Sequence, residues 1–249
     1  FPIAMFAVIK CGFVVVNTNP LYTPEEMKHQ YKDSGAKALV ILENFAANYQ
    51  EIKEDTDIET VIVTRIGDKL GGLKGGIVNL VVKHVKKMVP VFSLPEAISF
   101  KTVLAEGRGK APTAVSLSHT DMAFLQYTGG TTGVSKGAIL THGNICGQLS
   151  QIDGWLTGLF KDGEAVVITA LPLYHIFALT ANCITFFNYG AKNVLITNPR
   201  DMPAFIKDLK KNPFSLITGV NTLFNGLLNQ PDFKDVDFSN LKVSLGGGM

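Results

Sequence analysis

Cysteine is scarce in this chain of 249 residues: Cys11, Cys146 and Cys183 are odd in number and far apart. They offer neither a disulfide framework nor the paired spacing of a structural zinc site, so a reducing, cytoplasmic compartment is expected. His29, His84, His119, His142 and His175 show no metal-ligand spacing either. One-sided charge is also missing. A formal net charge of +2 argues against a general polyanion-binding role. No apolar run approaches the roughly 20 residues of a membrane-spanning helix. The chain opens at Phe1 with no initiator Met and no charged signal region. Internal repeats and low-complexity tracts are absent, and no serine sits in a nucleophile-elbow sequence.

What is present is a globular balance of 46% apolar and 18% charged residues, enough to bury a core. Short β-branched runs alternate with helical stretches. Strands are expected at Phe13–Val16, Ala38–Leu42, Thr60–Thr64, Met122–Tyr127, Ala165–Thr169, Asn193–Thr197, Leu216–Thr218 and Leu241–Leu245. Thr23-Pro24-Glu25-Glu26 has the form of a helix start with a capping box, and Gly35 the form of its stop. Asn221 is expected to cap a helix through Leu228, with Pro231 beyond it. This alternation predicts an α/β fold of layered parallel sheets with flanking helices. A Gly-, Pro- and Ser/Thr-containing connector at 106–120 divides approximate subdomains 1–110 and 120–249. Phe1–Lys10 reads as the middle of a buried helix. Leu241–Met249 reads as a strand running into a glycine turn, so the span is expected to be an internal piece of a longer chain.

The most informative stretch is Gln126-Tyr127-Thr128-Gly129-Gly130-Thr131-Thr132-Gly133-Val134-Ser135-Lys136-Gly137. Its glycines permit unusual backbone angles and close approach of N–H groups to an anion. Its hydroxyls add donors, and Lys136 adds a mobile cation suited to phosphate. It is not the P-loop of nucleotide hydrolases, because Lys-Ser/Thr does not directly follow the second glycine. Ala138–Thr141 reads as a further strand, so the loop is expected to join two strands, with a helix starting near Asn144. Composition alone leaves open a Gly/Thr hairpin without a ligand.

Tyr127–Gly137 resembles the signature loop of the adenylate-forming superfamily, which includes acyl-CoA synthetases, luciferases and peptide-synthetase adenylation domains. Leu171-Pro172-Leu173-Tyr174-His175-Ile176-Phe177, Thr218-Gly219-Val220-Asn221-Thr222-Leu223 and Gly246-Gly247-Gly248 resemble further motifs of that family, in order. Asn19-Pro20-Leu21-Tyr22-Thr23 and Ile196-Thr197-Asn198-Pro199-Arg200 bring the wording nearest to bacterial long-chain fatty-acid CoA ligases. The likeness covers essentially the whole span, as part of an N-terminal AMP-binding domain.

The resemblance implies a set of roles. Thr128, Gly129, Gly130, Thr131, Thr132, Gly133 and Ser135 would contact the ATP phosphates. Thr128 would help hold Mg²⁺, and Lys136 would steady the triphosphate. His175 would line the passage where the carboxylate meets the α-phosphate. Phe177, Gly219 and Val220 would line the acyl tunnel, and Gly246, Gly247 and Gly248 would run along the adenine. Coenzyme A would be co-substrate. Apart from the resemblance, a homodimer of the full-length protein is a further expectation. Where some members carry a gating Trp, this chain has Leu179. A Mg²⁺-binding Glu, a ribose-binding Asp and a mobile domain with a catalytic Lys are expected beyond Met249, so the 249 residues alone are expected to be inactive.

Three alternatives stand beside this reading. One is an aryl or short-chain acid on the same machinery. Another is a non-catalytic nucleotide- or lipid-binding module, and the third a phosphotransferase that would make ADP. His175, among Leu173, Tyr174, Ile176 and Phe177, could also be an ordinary core histidine. The apolar helices around Thr180–Tyr189 and Leu223–Leu228 fit either tunnel walls or core. Finally, Gly75–Val89 forms a helical wheel with Ile77, Val78, Val81, Val82, Val85, Met88 and Val89 on one face, and Asn79, Lys83, Lys86 and Lys87 on the other. Such a helix can lie on the inner face of the cytoplasmic membrane or pack on its own domain.

Overall fold

The computed structural model describes residues 1–128 and 134–248. Two compact units make up the chain. One contains Ile3–Leu117 and Met122–Ile139; the other contains Phe1–Pro2, Ser118–Asp121 and Leu140–Met249.

The first unit runs α1 (Pro2–Lys10), β1 (Val15–Asn17), α2 (Pro24–Ser34), β2 (Ala38–Leu42), α3 (Ala46–Ile52), β3 (Thr60–Thr64), α4 (Gly72–Leu80), β4 (Ile98–Ser99), α5 (Phe100–Glu106), β5 (Met122–Thr128) and β6 (Lys136–Thr141). Among the described residues these strands form two sheets, ordered β1-β5-β6 and β2-β3-β4. The pairs β1·β5, β2·β3 and β3·β4 are parallel. Helix α2 starts as its sequence demands. The Thr23 hydroxyl accepts from the Glu26 N–H, the Glu26 carboxylate accepts from the Thr23 N–H, and Gly35 closes the helix at φ 62°. Met27 and Tyr31 of α2 pack with Tyr49 and Ile52 of α3 over Leu39, Ile41 and Val61. Each such fully buried side chain contributes about 1.5–3 kcal/mol. Only Met5 of α1 is buried, so the buried helix expected from its apolar run is instead a helix packed along one narrow face.

Helix α4 departs from the wheel drawn on its sequence. Its inner face runs through Gly75, Asn79 and Val82, which leaves Ile77, Val85 and Met88 exposed. A backbone contact decides this. A Cβ on Gly75 would lie 2.3 Å from the Gly67 carbonyl oxygen, so only glycine allows the approach. Asn79 then accepts the Gly67 N–H at 2.7 Å and donates to Asp68 at 3.4 Å. Past α4 the chain continues as a π-helical segment, Val81–Val85, which shifts the phase of every later side chain.

The second unit continues with α6 (His142–Leu156), β7 (Val166–Thr169), α7 (Ile176–Ala178), α8 (Thr185–Asn188), β8 (Lys192–Leu195), α9 (Met202–Lys211), β9 (Leu216–Gly219), α10 (Asn221–Leu228) and β10 (Val243–Gly246). Its sheet has the order β10-β9-β7-β8, every pair parallel. Alternate residues feed opposite faces. Ile168 and Ile217 join Phe205, Leu209, Phe214, Leu223 and Leu227 on one side. Val167 and Leu216 join Leu156, Phe186 and Tyr189 on the other. A parallel sheet covered on both faces requires unbroken apolar strands, which is how these strands read. The N-cap of α10 is Val220, without a side-chain bond, so Asn221 opens the helix rather than capping it. Helix α6 is capped by Thr141, whose hydroxyl accepts from the Asn144 N–H. Among the described residues no helix is long and apolar enough to cross a membrane.

Candidate functional site

In the first unit the chain leaves β5 at Thr128 and re-enters a strand, β6, at Lys136, so the Gly/Thr stretch links two neighbouring strands. Gly129, Gly130, Thr131, Thr132 and Gly133 lie outside the described residues. Thr128 and Lys136 are exposed and Ser135 is half-buried. The two stems are close: a Cβ on Gly137 would stand 2.9 Å from the Tyr127 ring, so a side chain there would displace that ring. The Tyr127 hydroxyl donates to Asp33 at 2.5 Å. Burial first, and then this carboxylate partner, holds the phenol above its usual range. The Ser135 carbonyl meets His29 Nε2 at 2.9 Å. A carbonyl can only accept, so Nε2 carries the proton. Below them Asn17 donates to Gln126 at 2.9 Å, and Gln30 to the Asn17 carbonyl at 2.9 Å.

In the second unit the remaining candidates gather at the carboxyl ends of β9 and β10, where open parallel sheets bind ligands. Gly247 donates its N–H to the Gly219 carbonyl at 3.2 Å. A Cβ on Gly247 would lie 3.3 Å from the Phe177 ring, and one on Gly248, at φ +69°, would lie 3.7 Å from Val220. A Cβ on Gly219 would lie 3.0 Å from Leu223 and Phe224. Phe177, Gly219, Val220, Gly246, Gly247 and Gly248 are thus one cluster, in which Gly219 and Gly247 leave little room for a side chain and Gly248 takes a positive φ. His175 is exposed, which removes the core-histidine reading. It caps α7, its Nδ1 accepting the Phe177 N–H at 3.3 Å, which leaves the ring proton on Nε2. Leu179, where a gating Trp would stand, is wholly buried.

Phe177 also borders a cavity of about 410 Å³ within this unit. Ile145 and Ile152 of α6, Thr180 and Ala181, and Leu245 of β10 contribute to its mainly apolar wall, with Asn144 and Gln148 as polar members. Of the two apolar helices that fitted tunnel or core, the first lines this cavity as well as contributing buried residues, while Leu223 and Leu227 belong to the core. Thr180 and Ala181 sit on a π-helical segment, Leu179–Ile184, held by a side chain that sequence reasoning passed over. Asn182 is fully buried. It accepts from the Thr218 hydroxyl at 2.9 Å and donates to the Thr169 hydroxyl at 3.0 Å, and Thr169 donates on to Asn193 at 2.7 Å. The one available signal was an amide inside an apolar helical run.

Parallel sheets with flanking helices are the fold of the N-terminal domains of adenylate-forming enzymes. A family model described as AMP-binding enzyme matches residues 1–249, and the chain belongs to that family. It is 54% identical over 249 residues to a long-chain-fatty-acid–CoA ligase of Yersinia pestis, covering 100% of this chain and 44% of that protein. It is 52% identical to the enzyme of the same name from Escherichia coli O6:H1, with the same 100% and 44% coverage. The chain therefore spans less than half the length of the curated relatives it matches. Among solved structures, an anthranilate CoA ligase in complex with anthranoyl-AMP shares the fold at TM-score 0.75 and 18% identity, over 98% of this chain and 42% of that one.

Proposed function

We propose that the intact protein containing this chain activates a long-chain fatty acid with ATP and transfers it to coenzyme A. The fatty carboxylate attacks the α-phosphorus, forming acyl-adenylate and releasing pyrophosphate. The CoA thiol then attacks the acyl carbon, forming the thioester and releasing AMP and a proton. The observation that carries this reading is the cluster at the ends of β9 and β10. There the glycines proposed for adenine adjoin residues proposed for acyl binding, so closely that a Cβ on Gly247 would lie 3.3 Å from the Phe177 ring, beside a mainly apolar cavity. Identity of 54% to a long-chain ligase supports the choice of acid.

A carboxylate is ionised near pH 7 and needs no general base. The proposed work of the site is positioning and charge neutralisation. Lys136 would steady the triphosphate, with Thr128, Ser135 and the Gly129–Gly133 loop around it. His175 would present its Nε2 proton toward the reacting groups. The described residues supply no group of three or more His, Cys, Asp or Glu able to hold a metal ion. A lone Thr128 hydroxyl suits Mg²⁺, which keeps waters and takes most ligands from substrate phosphates. When bound, the ion would neutralise phosphate charge.

The test is product analysis with the intact protein, ATP, CoA and a series of acids. AMP and pyrophosphate, formed fastest with long acyl chains, are expected. ADP would establish a phosphotransferase, and preference for aryl or short acids would move the substrate class. No saturable ATP binding would leave only a binding module.

Peripheral contact with the inner face of the cytoplasmic membrane, through residues 75–89 and their surroundings, is proposed as well. Leu73, Ile77 and Val85 are 83%, 57% and 69% exposed, beside exposed Lys74, Lys83, Lys86 and Lys87. An apolar face rimmed by lysine suits an anionic bilayer. Cosedimentation with anionic vesicles, abolished by Ile77→Glu with Val85→Glu, is the expected result; equal sedimentation of the variant would remove this surface. A homodimer of the intact protein is proposed with it, to be read by light scattering.

A further inference from the structure

Helix α2 has no part in the roles assigned above, yet its side chains reach both stems of the Gly/Thr loop. His29 and Asp33 stand four residues apart, on one face of the helix. His29 takes the Ser135 carbonyl, one residue before Lys136, at 2.9 Å. Asp33 takes the Tyr127 hydroxyl, one residue before Thr128, at 2.5 Å. Between them Gln30, fully buried, donates to the Asn17 carbonyl of β1, the strand paired with β5. The helix is itself firmly set, by a complete capping box at one end and by Met27 and Tyr31 in the core.

We infer that α2 is a brace that fixes the spacing of the loop's two stems, with His29 and Asp33 as positioning residues for binding the triphosphate of a nucleotide. Neither touches the nucleotide in this scheme. Each acts through a backbone or side-chain group next to a residue that does. The physical need is pre-organisation. Phosphate donors split between two strands bind well only if the strands are held at a set separation before the ligand arrives. Losing one such hydrogen bond corresponds to roughly a three- to tenfold change in an equilibrium, enough to loosen one stem. Asp33 is exposed, so loss of the Tyr127 hydroxyl leaves no buried charge behind.

This inference rests on the loop being a triphosphate site, so the experiment reads ATP binding directly as well as turnover. The intact protein is prepared as wild type, His29→Ala, His29→Gln and the double variant His29→Ala with Tyr127→Phe. ATP affinity is measured by calorimetry, KM is measured for ATP and for fatty acid, and Tm is recorded. His29→Ala is expected to weaken ATP binding roughly three- to tenfold, with the double variant weaker still. The KM for fatty acid and the Tm should stay near wild type. Glutamine, whose amide can donate to the Ser135 carbonyl, should restore most of the loss. Unchanged ATP affinity in the double variant would overturn the brace, as would parallel losses in Tm and both KM values. Wild-type protein that binds ATP but makes no adenylate would remove the proposed reaction and leave the brace to be judged on affinity. Wild-type protein that binds no ATP would remove both.

Discussion

Replacing Asn182 by alanine tests how the cavity wall is held. Asn182 and Thr218 are wholly buried and Thr169 nearly so, with no water in reach to replace a lost partner. Alanine would strip the Thr218 hydroxyl of its 2.9 Å acceptor and the Thr169 hydroxyl of its 3.0 Å donor. Thr169 would keep its 2.7 Å bond to Asn193, so one hydroxyl is fully orphaned and one is partly satisfied. An orphaned buried group costs about 1–3 kcal/mol, and the space left by the amide adds to it. The sum is about 2–4 kcal/mol. Thr218→Val, which orphans the amide oxygen from the other side, should cost about 1–3 kcal/mol. Both changes break the same bond, so the double variant should lose less than the sum, with a coupling of about 0.5–3 kcal/mol. Urea unfolding of the intact protein, with constant m, reads all three values. A loss below about 0.5 kcal/mol for Asn182→Ala, or strict additivity, would refute the reasoning. Because Asn182 shares the π-helical segment with Thr180 and Ala181, the KM for fatty acid should rise while the KM for ATP holds.

Two neighbouring glycines give opposite expectations. Gly75→Ala pushes a methyl to 2.3 Å from the Gly67 carbonyl and should destabilise by about 1–3 kcal/mol; Gly76→Ala meets nothing within 4 Å and should stabilise α4 by about 0.5–1 kcal/mol, both read by urea midpoint. Lys136→Ala should lower pyrophosphate release by the intact protein roughly 10²-fold, with the KM for fatty acid unchanged. The Glu26 carboxyl is held below its usual pKa, first by the Thr23 N–H and then by the Thr23 hydroxyl. Its stabilisation of α2 is therefore present above the ordinary glutamate pKa and is lost as pH falls through the depressed value. Acid titration of Glu26→Gln by circular dichroism should show that limb flattened; an unchanged limb would assign the acid sensitivity elsewhere.

Local chemistry was legible in the sequence, and long-range chemistry was not. Strands Ala38–Leu42 and Thr60–Thr64 match their expected limits, and the Thr23 capping box forms as written. The passage of the Gly/Thr stretch from strand to strand could be read because Ala138–Thr141 is β-rich where a P-loop would begin a helix. The inner face of α4 could not be read, because a wheel counts side chains and the deciding contact is between two backbones, at Gly67 and Gly75. The π-helical segments at Val81–Val85 and Leu179–Ile184 break the 100° step on which any wheel depends. His29 and Asp33 looked like ordinary polar positions of an amphipathic helix. Their partners lie 106 and 94 residues away, beyond any local pattern.

The same solution recurs in the two units. Near the start of β6 and past the end of β10, a glycine lies close to an aromatic ring: a Cβ on Gly137 would stand 2.9 Å from Tyr127, and one on Gly247 3.3 Å from Phe177. Glycine alone would leave such a point poorly defined, since it has the most conformational freedom to lose. In each case a polar side chain on a neighbouring helical segment ties the region down: His29 and Asp33 in one unit, Asn182 in the other. Under the proposed function the glycines would supply access and the helical polar groups definition. If that division is correct, losses at the helical positions should appear as weakened binding of one substrate each, nucleotide for α2 and acyl chain for Asn182. Bulk added at Gly137 or Gly247 should instead disturb the strand ends directly.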